Sequence, residues 1–427
     1  MSHDTDMTVP VQQPPAAPDE PTERVGAKFI AFYTLAYMGV FLGLLTPVIV
    51  TLFLKLDTVY PGQAEDHLAV VLGIGAFFAL VGNPLFGKLS DRTTSRFGRR
   101  RPWLILGVAG ALVGLSVVAL APNMWVVVAG WCLVQLSFNA ALAALVAVLP
   151  DQVPISQRGT VGAFLGIGIP VASTIGTALV AALPGIGLKL LGPALVSAVL
   201  LVVFAAMLKD KVITKEQVTE PYTLAEFGRS FYINPKKAPD FSWAWLGRFL
   251  LFMGLSYLLT QQAPYLEGHL RITHEEVAGL IATATLVQSV VLVIVSLSLG
   301  PVSDRLGRRK IFIFVSAVIY AGGLAFVALA PSYGVFLVGM AVTGAGQGVY
   351  LAVDLALVTD VLPSKETAAR DLGVFNIASA FPQSLAPAIA PAFLAIAGPG
   401  NWVSLFSVAA IFAAAGAFAI IPIRGVK

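Results

Sequence analysis

Charge is scarce in this sequence. Only 12% of its 427 residues are Asp, Glu, Lys or Arg, against about 25% in a soluble domain. A soluble chain this apolar would expose patches larger than a few hundred Å² and aggregate. Cysteine is scarcer still. Cys132 stands alone within an apolar run, which excludes an internal disulfide and a thiolate metal cluster. It reads as a small buried hydrophobe. The histidines are His3, His67, His269 and His274. They fall in the N-terminal tail or at the outer ends of apolar runs, so no metal site is expected. There is no phosphate-binding Gly-Lys-Ser/Thr loop, which argues against ATP-driven pumping within this chain. No enzyme signature and no cofactor motif is found. Met1 to Arg24 is acidic, polar and Pro-rich, without the basic-then-apolar order of a signal peptide. Residues 1–26 read as a disordered cytoplasmic tail. The net charge of +4 does not indicate a nucleic-acid partner, because the cations are divided among short loops.

What the chain does have is apolar length. A helix needs about 20 apolar residues to cross a bilayer. Twelve runs qualify: 28–54, 68–87, 103–121, 124–149, 159–183 and 188–208, then 241–264, 276–299, 310–330, 333–361, 370–397 and 401–423. They are continuous, unlike the alternating segments of about 10 residues in a membrane barrel. The lipid bilayer is thus the chain's surrounding, and the expected location is the cell (plasma or inner) membrane, crossed many times.

The charges that remain are placed with a pattern. "GKLSDRTTSRFGRRRPW", Gly87 to Trp103, holds Lys88, Arg92, Arg96, Arg99, Arg100 and Arg101 against the single acid Asp91. Cytoplasmic loops of membrane proteins are enriched in Lys and Arg. With both termini placed in the cytoplasm, of 27 cationic residues only Lys55, Lys189 and Arg271 fall outside, and Arg248 falls within a span. The outer loops are short or acidic, with Asp57, Glu65, Asp66, Glu267, Glu275 and Glu276.

The chain also repeats itself. "GKLSDR…GRRR" follows the second span of the first half, and "GPVSDRLGRRK", Gly300 to Lys310, follows the second span of the second half. The first copy carries four extra residues. "LPDQVP" with Asp151 and Pro154 matches "VTDVLP" with Asp360 and Pro363, each after a fourth span. These repeats predict an all-α membrane protein: twelve transmembrane helices in two pseudo-symmetric six-helix bundles, 27–208 and 241–427. A cytoplasmic linker, 209–240, joins them.

Gly87, Leu89, Ser90, Asp91 and Arg92, with Gly98, Arg99 and Arg100 following, resemble the signature loop of the major facilitator superfamily. The weaker second copy, with Asp304, Arg305, Gly307 and Arg308, is also typical. The resemblance covers the chain from Ala27 to Ile423. Within that superfamily, "SDRTTSRFGRRRPW" and "LLTPVIVTL" (Leu44 to Leu52) are similar to the sucrose–proton symporters and the wider glycoside–pentoside–hexuronide cation symporters. The resemblance implies two halves that rock about a midplane site, a cavity lined by spans 1, 4, 7 and 10, and a loop that latches the halves when the cytoplasmic side is shut. Orientation alone is the competing role for the loop. There is one departure. Many bacterial glycoside symporters place a cation-binding aspartate where Asn83 precedes Pro84 here. Asn83 cannot carry a proton, which counts against a sodium site.

Two charges lie within spans, where each costs at least about 2.5 kcal/mol. Arg248 is about two turns into span 7 and Asp354 about two turns into span 10, at matching depth. One reading makes Asp354 the proton-coupling carboxylate and Arg248 its partner. The other makes them a permanent structural ion pair. Polar residues recur at helical spacing: Gln347, Tyr350 and Asp354 on span 10; Asn376, Ser379 and Gln383 on span 11; Gln135 and Asn139 on span 4; Tyr33 and Tyr37 on span 1. Tyr257, Gln261 and Gln262 add to them on span 7. Amides, hydroxyls and aromatic faces suit a sugar, and interhelical hydrogen bonding is the plainer role for each one singly. The expectation is a secondary active transporter, moving a sugar-like solute together with a proton. An efflux antiporter for hydrophobic solutes is the alternative. Neither an obligate protein partner nor a metal is implied.

Overall fold

A computed structural model describes residue 21 and residues 23–214, 235, 238–306, 308–361, 368–396, 398 and 400–423. Most of the expected tail and linker, Gly307 of the second loop copy and Pro363 of its companion motif lie outside the described residues.

Lipid offers no hydrogen bonds, so each backbone N–H and C=O must be satisfied within its own segment. The apolar runs accordingly fold as helices. They are α1 (Ala27–Val59), α2 (Ala64–Asp91), α3 (Arg101–Leu120), α4 (Met124–Gln152), α5 (Ile155–Ala182) and α6 (Ile186–Met207). The second set is α7 (Pro239–Gly268), α8 (His274–Leu306), α9 (Arg309–Ala328), α10 (Tyr333–Val361), α11 (Ala368–Leu394) and α12 (Trp402–Ala419). Among the described residues, twelve helices are long and apolar enough to span a membrane. Side chains such as Leu106, Val113, Val199, Ile294, Leu297 and Ile411 stand outward as an apolar surface. α1 is not uniform: a π-helical turn, Pro47–Thr51, interrupts it, because Pro47 has no N–H for the regular ladder.

The pairing of helices shows the internal repeat. In the first half α3 packs on α4, α2 on α4, α1 on α5 and α6, and α3 on α6. In the second half α9 packs on α10, α8 on α10, α7 on α11 and α12, and α9 on α12. Adding six to each helix number of the first set yields the second. The seam between halves is made chiefly by α2 with α11 and by α5 with α8, which the same rule exchanges, with a smaller contact of α7 on the Pro47–Thr51 turn of α1.

Glycines allow the closest of these contacts. A methyl group added to Gly114 of α3 would lie 2.8 Å from the Gly130 carbonyl of α4, and one added to Gly323 of α9 would lie 3.1 Å from the Gly339 carbonyl of α10. The two halves thus use one backbone-to-backbone contact at the same place.

Chain direction puts the arginine-rich loop at one end of the bundle, the basic end. Asp57, Glu65 and Glu267 lie at the other, the acidic end. At and below mid-depth toward the acidic end, contacts join the halves: Ser289 Oγ of α8 donates to the Pro170 carbonyl of α5 at 3.2 Å, and His274 of α8 meets Asp57 of α1. Toward the basic end, a methyl group added to Gly159, Gly162 or Gly166 of α5 would meet nothing within 4 Å. Asn376, Phe381 and Gln383 of α11 are exposed. Among the described residues, the cleft between the halves is open at the basic end.

Candidate functional site

The deepest charges in the bundle face each other. Arg248 Nη1 lies 3.0 Å from Asp354 Oδ1 and 2.9 Å from Oδ2, and Arg248 Nη2 reaches Ser379 Oγ of α11 at 3.4 Å. The two side chains are 13% and 16% exposed, so water screens the pair little. The guanidinium carbon also sits 4.9 Å from the Phe375 ring centre and 5.3 Å from that of Phe252, a range in which the ring faces attract a cation. Arg248 Nε is buried without a partner among the described residues. The arginine is therefore only partly satisfied, which leaves it able to take a further acceptor.

Above this pair, Gln347 and Tyr350 continue the polar face of α10. With Leu251, Phe252, Leu255 and Tyr320 they line a cavity of about 20 Å³, room for roughly one water. Tyr320 of α9 points a buried, unpartnered hydroxyl at this region. It lies within an apolar span, and no local pattern in the sequence marks it.

In the first half, the structure links three expected residues in a chain of amides. Asn83 Nδ2 donates to Asn139 Oδ1 at 3.4 Å, and Asn139 Nδ2 donates to the Gln135 carbonyl at 2.8 Å. Tyr37 is half-buried beside Phe41. Tyr33 does not join them, which corrects the expectation of a cavity role. Its ring is fully buried and stacks on Phe204 at 5.5 Å, and its hydroxyl donates to the Leu145 carbonyl at 2.9 Å. Its one donor is spent tying α1 to α4.

Tyr257, Gln261 and Gln262 of α7 are also closed off, at 0%, 2% and 3% exposure. Tyr257 stacks on Phe412 of α12, and its hydroxyl and Gln262 Oε1 have no partner among the described residues. These residues sit in the outer part of α7, which packs against the Pro47–Thr51 turn of α1. In this arrangement they do not line the cleft. Asn376 and Gln383 do face open space, with Gln383 Nε2 bonded to the Ser379 carbonyl at 3.2 Å.

The arginine-rich loop forms a knot inside the first half. Asp91, at the end of α2, pairs with Arg100 at 2.7 Å, and Asp151, at the end of α4, pairs with Arg99 at 2.7 Å and Arg100 at 2.9 Å. Ser90 Oγ accepts from Arg100 Nη1 at 2.9 Å. Burial works against the Arg100 charge, but Asp151 and Asp91 outweigh it and hold the guanidinium above its ordinary range. Asp210, beyond α6, accepts from the Arg100 and Arg101 amides at 2.6 and 2.8 Å. It caps the N-terminus of α3, where a carboxylate is favoured. Arg101 donates to the Leu208 carbonyl. Gly98 has φ +100°, and a methyl group there would strike the Asp210 carboxyl at 2.3 Å, so glycine is required. Arg92 supplies the backbone cap of α2. Gly87 lies in the last turn of α2, where an added methyl would come only 3.9 Å from Ala143 of α4. Asp304 and Arg305 stand in the last turn of α8, and Arg308 precedes α9. Lys55, read from the sequence only as an outlier of charge, is buried and donates to the Ala119 carbonyl at the end of α3 at 3.0 Å.

Twelve membrane-length helices in two matching sets, with an ion pair held inside one of them, define a transport protein of the membrane. The family model described as the Major Facilitator Superfamily matches residues 29–260 and 244–426, and the chain belongs to that superfamily. It is a transporter and not an enzyme. Among curated proteins, the tetracycline resistance protein, class B, of Escherichia coli is 32% identical over 143 residues, 33% of this chain and 33% of that protein. The proton-associated sugar transporter A of Homo sapiens is 44% identical over 55 residues, 13% of this chain and 7% of that protein. The chain thus matches about a third of the length of the former and less than a tenth of the latter. The solved nucleoside transporter NupG superposes with a TM-score of 0.67 at 14% identity, covering 93% of this chain and all of the other. An occupied, inward-facing bacterial homolog of the lysosomal transporter Spinster superposes with a TM-score of 0.68 at 14% identity, covering 93% and 97%. At that identity the likeness is one of fold.

Proposed function

We propose that the protein is a proton-coupled symporter of a sugar-like solute in the cell membrane, with its basic end and both termini in the cytoplasm. The halves, 27–208 and 241–427, rock about the cleft between them. The observation that carries this reading is the Arg248–Asp354 pair. Asp354 is the one carboxylate in the sequence seated about two turns, roughly 10 Å, inside a span. No comparable acid lies deep in the first half to take a proton there.

The pair supplies a physical route to coupling. Protonating Asp354 removes the partner of a buried guanidinium, and leaving such a charge unpaired costs about 3–5 kcal/mol. A solute hydroxyl accepting from Arg248 offsets that cost. Proton and solute therefore each favour binding of the other, and the linkage is reciprocal. Ser379, Gln347 and Tyr350, with the Asn83–Asn139–Gln135 chain opposite, supply the polar contacts. Tyr257, Gln261 and Gln262, with the Tyr257 hydroxyl and Gln262 Oε1 unsatisfied where the acidic ends meet, join the cavity when that end opens. The loop knot becomes the latch when the basic end closes.

The test is uptake into proteoliposomes under an imposed pH gradient, screened across disaccharides. Asp354→Asn is expected to abolish solute-driven proton entry while gradient-free counterflow persists. Undiminished proton entry in that variant ends the reading. The similarity to tetracycline resistance proteins favours a second reading, drug efflux by antiport. In that case tetracycline, not a disaccharide, would drive proton movement, and in the opposite direction.

A further inference from the structure

Three side chains distant in sequence converge at the acidic end. Asp57 lies near the end of α1, Glu267 in the last turn of α7, and His274 at the start of α8. His274 Nδ1 lies 2.9 Å from Glu267 Oε1 and 3.2 Å from Asp57 Oδ2. The candidate ligand atoms of all three residues fall within 4.8 Å of one another. No metal site was expected from the sequence, because the histidines fall in the tail or at outer span ends; over 200 residues separate Asp57 from its two companions, so no local pattern joins them.

A single ring nitrogen faces two carboxylates. Nδ1 offers one proton or one lone pair, so it cannot serve both oxygens fully. Even as imidazolium it leaves the cluster net negative. Glu65 of α2 stands beside the cluster, its Oε1 3.2 Å from where a methyl group on Gly268 would lie. Asp57 is held in place, with Oδ1 accepting from the Gly62 amide at 3.3 Å and Oδ2 turned to the histidine.

We propose that Asp57, Glu267 and His274 form a zinc-type divalent-cation site whose occupation holds the two halves together at the acidic end. One imidazole nitrogen and two carboxylate oxygens form a zinc-like donor set, and a water completes the tetrahedron. Calcium and magnesium prefer oxygen alone. Zinc bonds of about 2.0–2.2 Å put neighbouring ligand atoms roughly 3.3 Å apart, close to the 2.9 and 3.2 Å seen here. The imidazole is 39% exposed, so an ion has a way in from water. Asp57 belongs to the first half and the other two ligands to the second. A bound ion therefore favours the arrangement closed at the acidic end, by mass action. The binding site stands without the transport reading, and only its effect on the cycle rests on rocking halves.

Untagged full-length protein in detergent is titrated with zinc chloride by calorimetry. One site per chain is expected, weakened at least about 10-fold in His274→Ala, Asp57→Asn and Glu267→Gln. Thermal unfolding of each variant confirms that it is folded. Spin labels at Asp66→Cys and Glu275→Cys, in a Cys132→Ser background, report the width of the acidic mouth. Zinc is expected to narrow their distance distribution, and not when His274→Ala is added. Absence of zinc binding by the unaltered protein, or equal binding by folded His274→Ala, overturns the site. Binding without change in the distances overturns its role as a clasp. A protein that binds zinc and closes, yet moves no sugar, keeps this site and loses only the symport reading.

Discussion

At the residue scale, the two roles open to Arg248 and Asp354 separate by substitution. Arg248→Met leaves a buried carboxylate unpaired and is expected to lower stability by about 3–5 kcal/mol, read as thermal unfolding in detergent. Adding Asp354→Leu removes the stranded charge and is expected to recover most of that loss. Solute-driven proton entry is expected to stay absent in both. Recovery of transport in the double variant would mean that the pair only steadies the second half. The partnership itself was legible in the sequence, because two charges at equal depth in spans 7 and 10 have few other ways to be satisfied. Tyr33 was not. Helical spacing puts Tyr33 and Tyr37 one turn apart on one face but does not tell which of them meets a cleft and which a helix. Asp210 escaped for a different reason: a capping carboxylate more than 100 residues from the helix it caps leaves no local pattern.

At the element scale, every span was readable and some almost to their ends, though 276–299 became His274–Leu306 and 68–87 became Ala64–Asp91. The run 124–149 became Met124–Gln152, and 310–330 became Arg309–Ala328. A 20-residue apolar run has one stable way to satisfy its backbone in lipid. The seam was not readable, since no pattern along one helix states which neighbour it meets. Glycine contacts give the pairing a measurable consequence. Gly114→Val and Gly323→Val each press a branched side chain against a facing backbone, at 2.8 and 2.6 Å for the first added carbon. Each is expected to cost about 1–3 kcal/mol, and by roughly the same amount in the two halves. Gly162→Val, with nothing within 4 Å of the added carbon, is the matched control. Thermal unfolding that ranks the control with the other two contradicts the pairing.

At the scale of the whole molecule, the asymmetry between the ends is open to test. Cys132 is the sole thiol and is half-buried, so a Cys132→Ser background gives a clean reporter. Gly162→Cys is expected to react quickly with a charged, water-soluble maleimide. Ala172→Cys, buried at 0% exposure on the same helix, is expected to resist it. Equal reactivity of the two contradicts a cleft open at the basic end. The arginine knot carries one more consequence. Through Asp91, Asp151, Leu208, Asp210 and the start of α3 it lashes the feet of four of the first six helices to one another. A bundle braced in this way resists bending or shearing within itself. On the proposed reading, displacement between the halves falls on the contacts that join them, chiefly α2 against α11 and α5 against α8, and the first half would swing like a stiff oar in its lock.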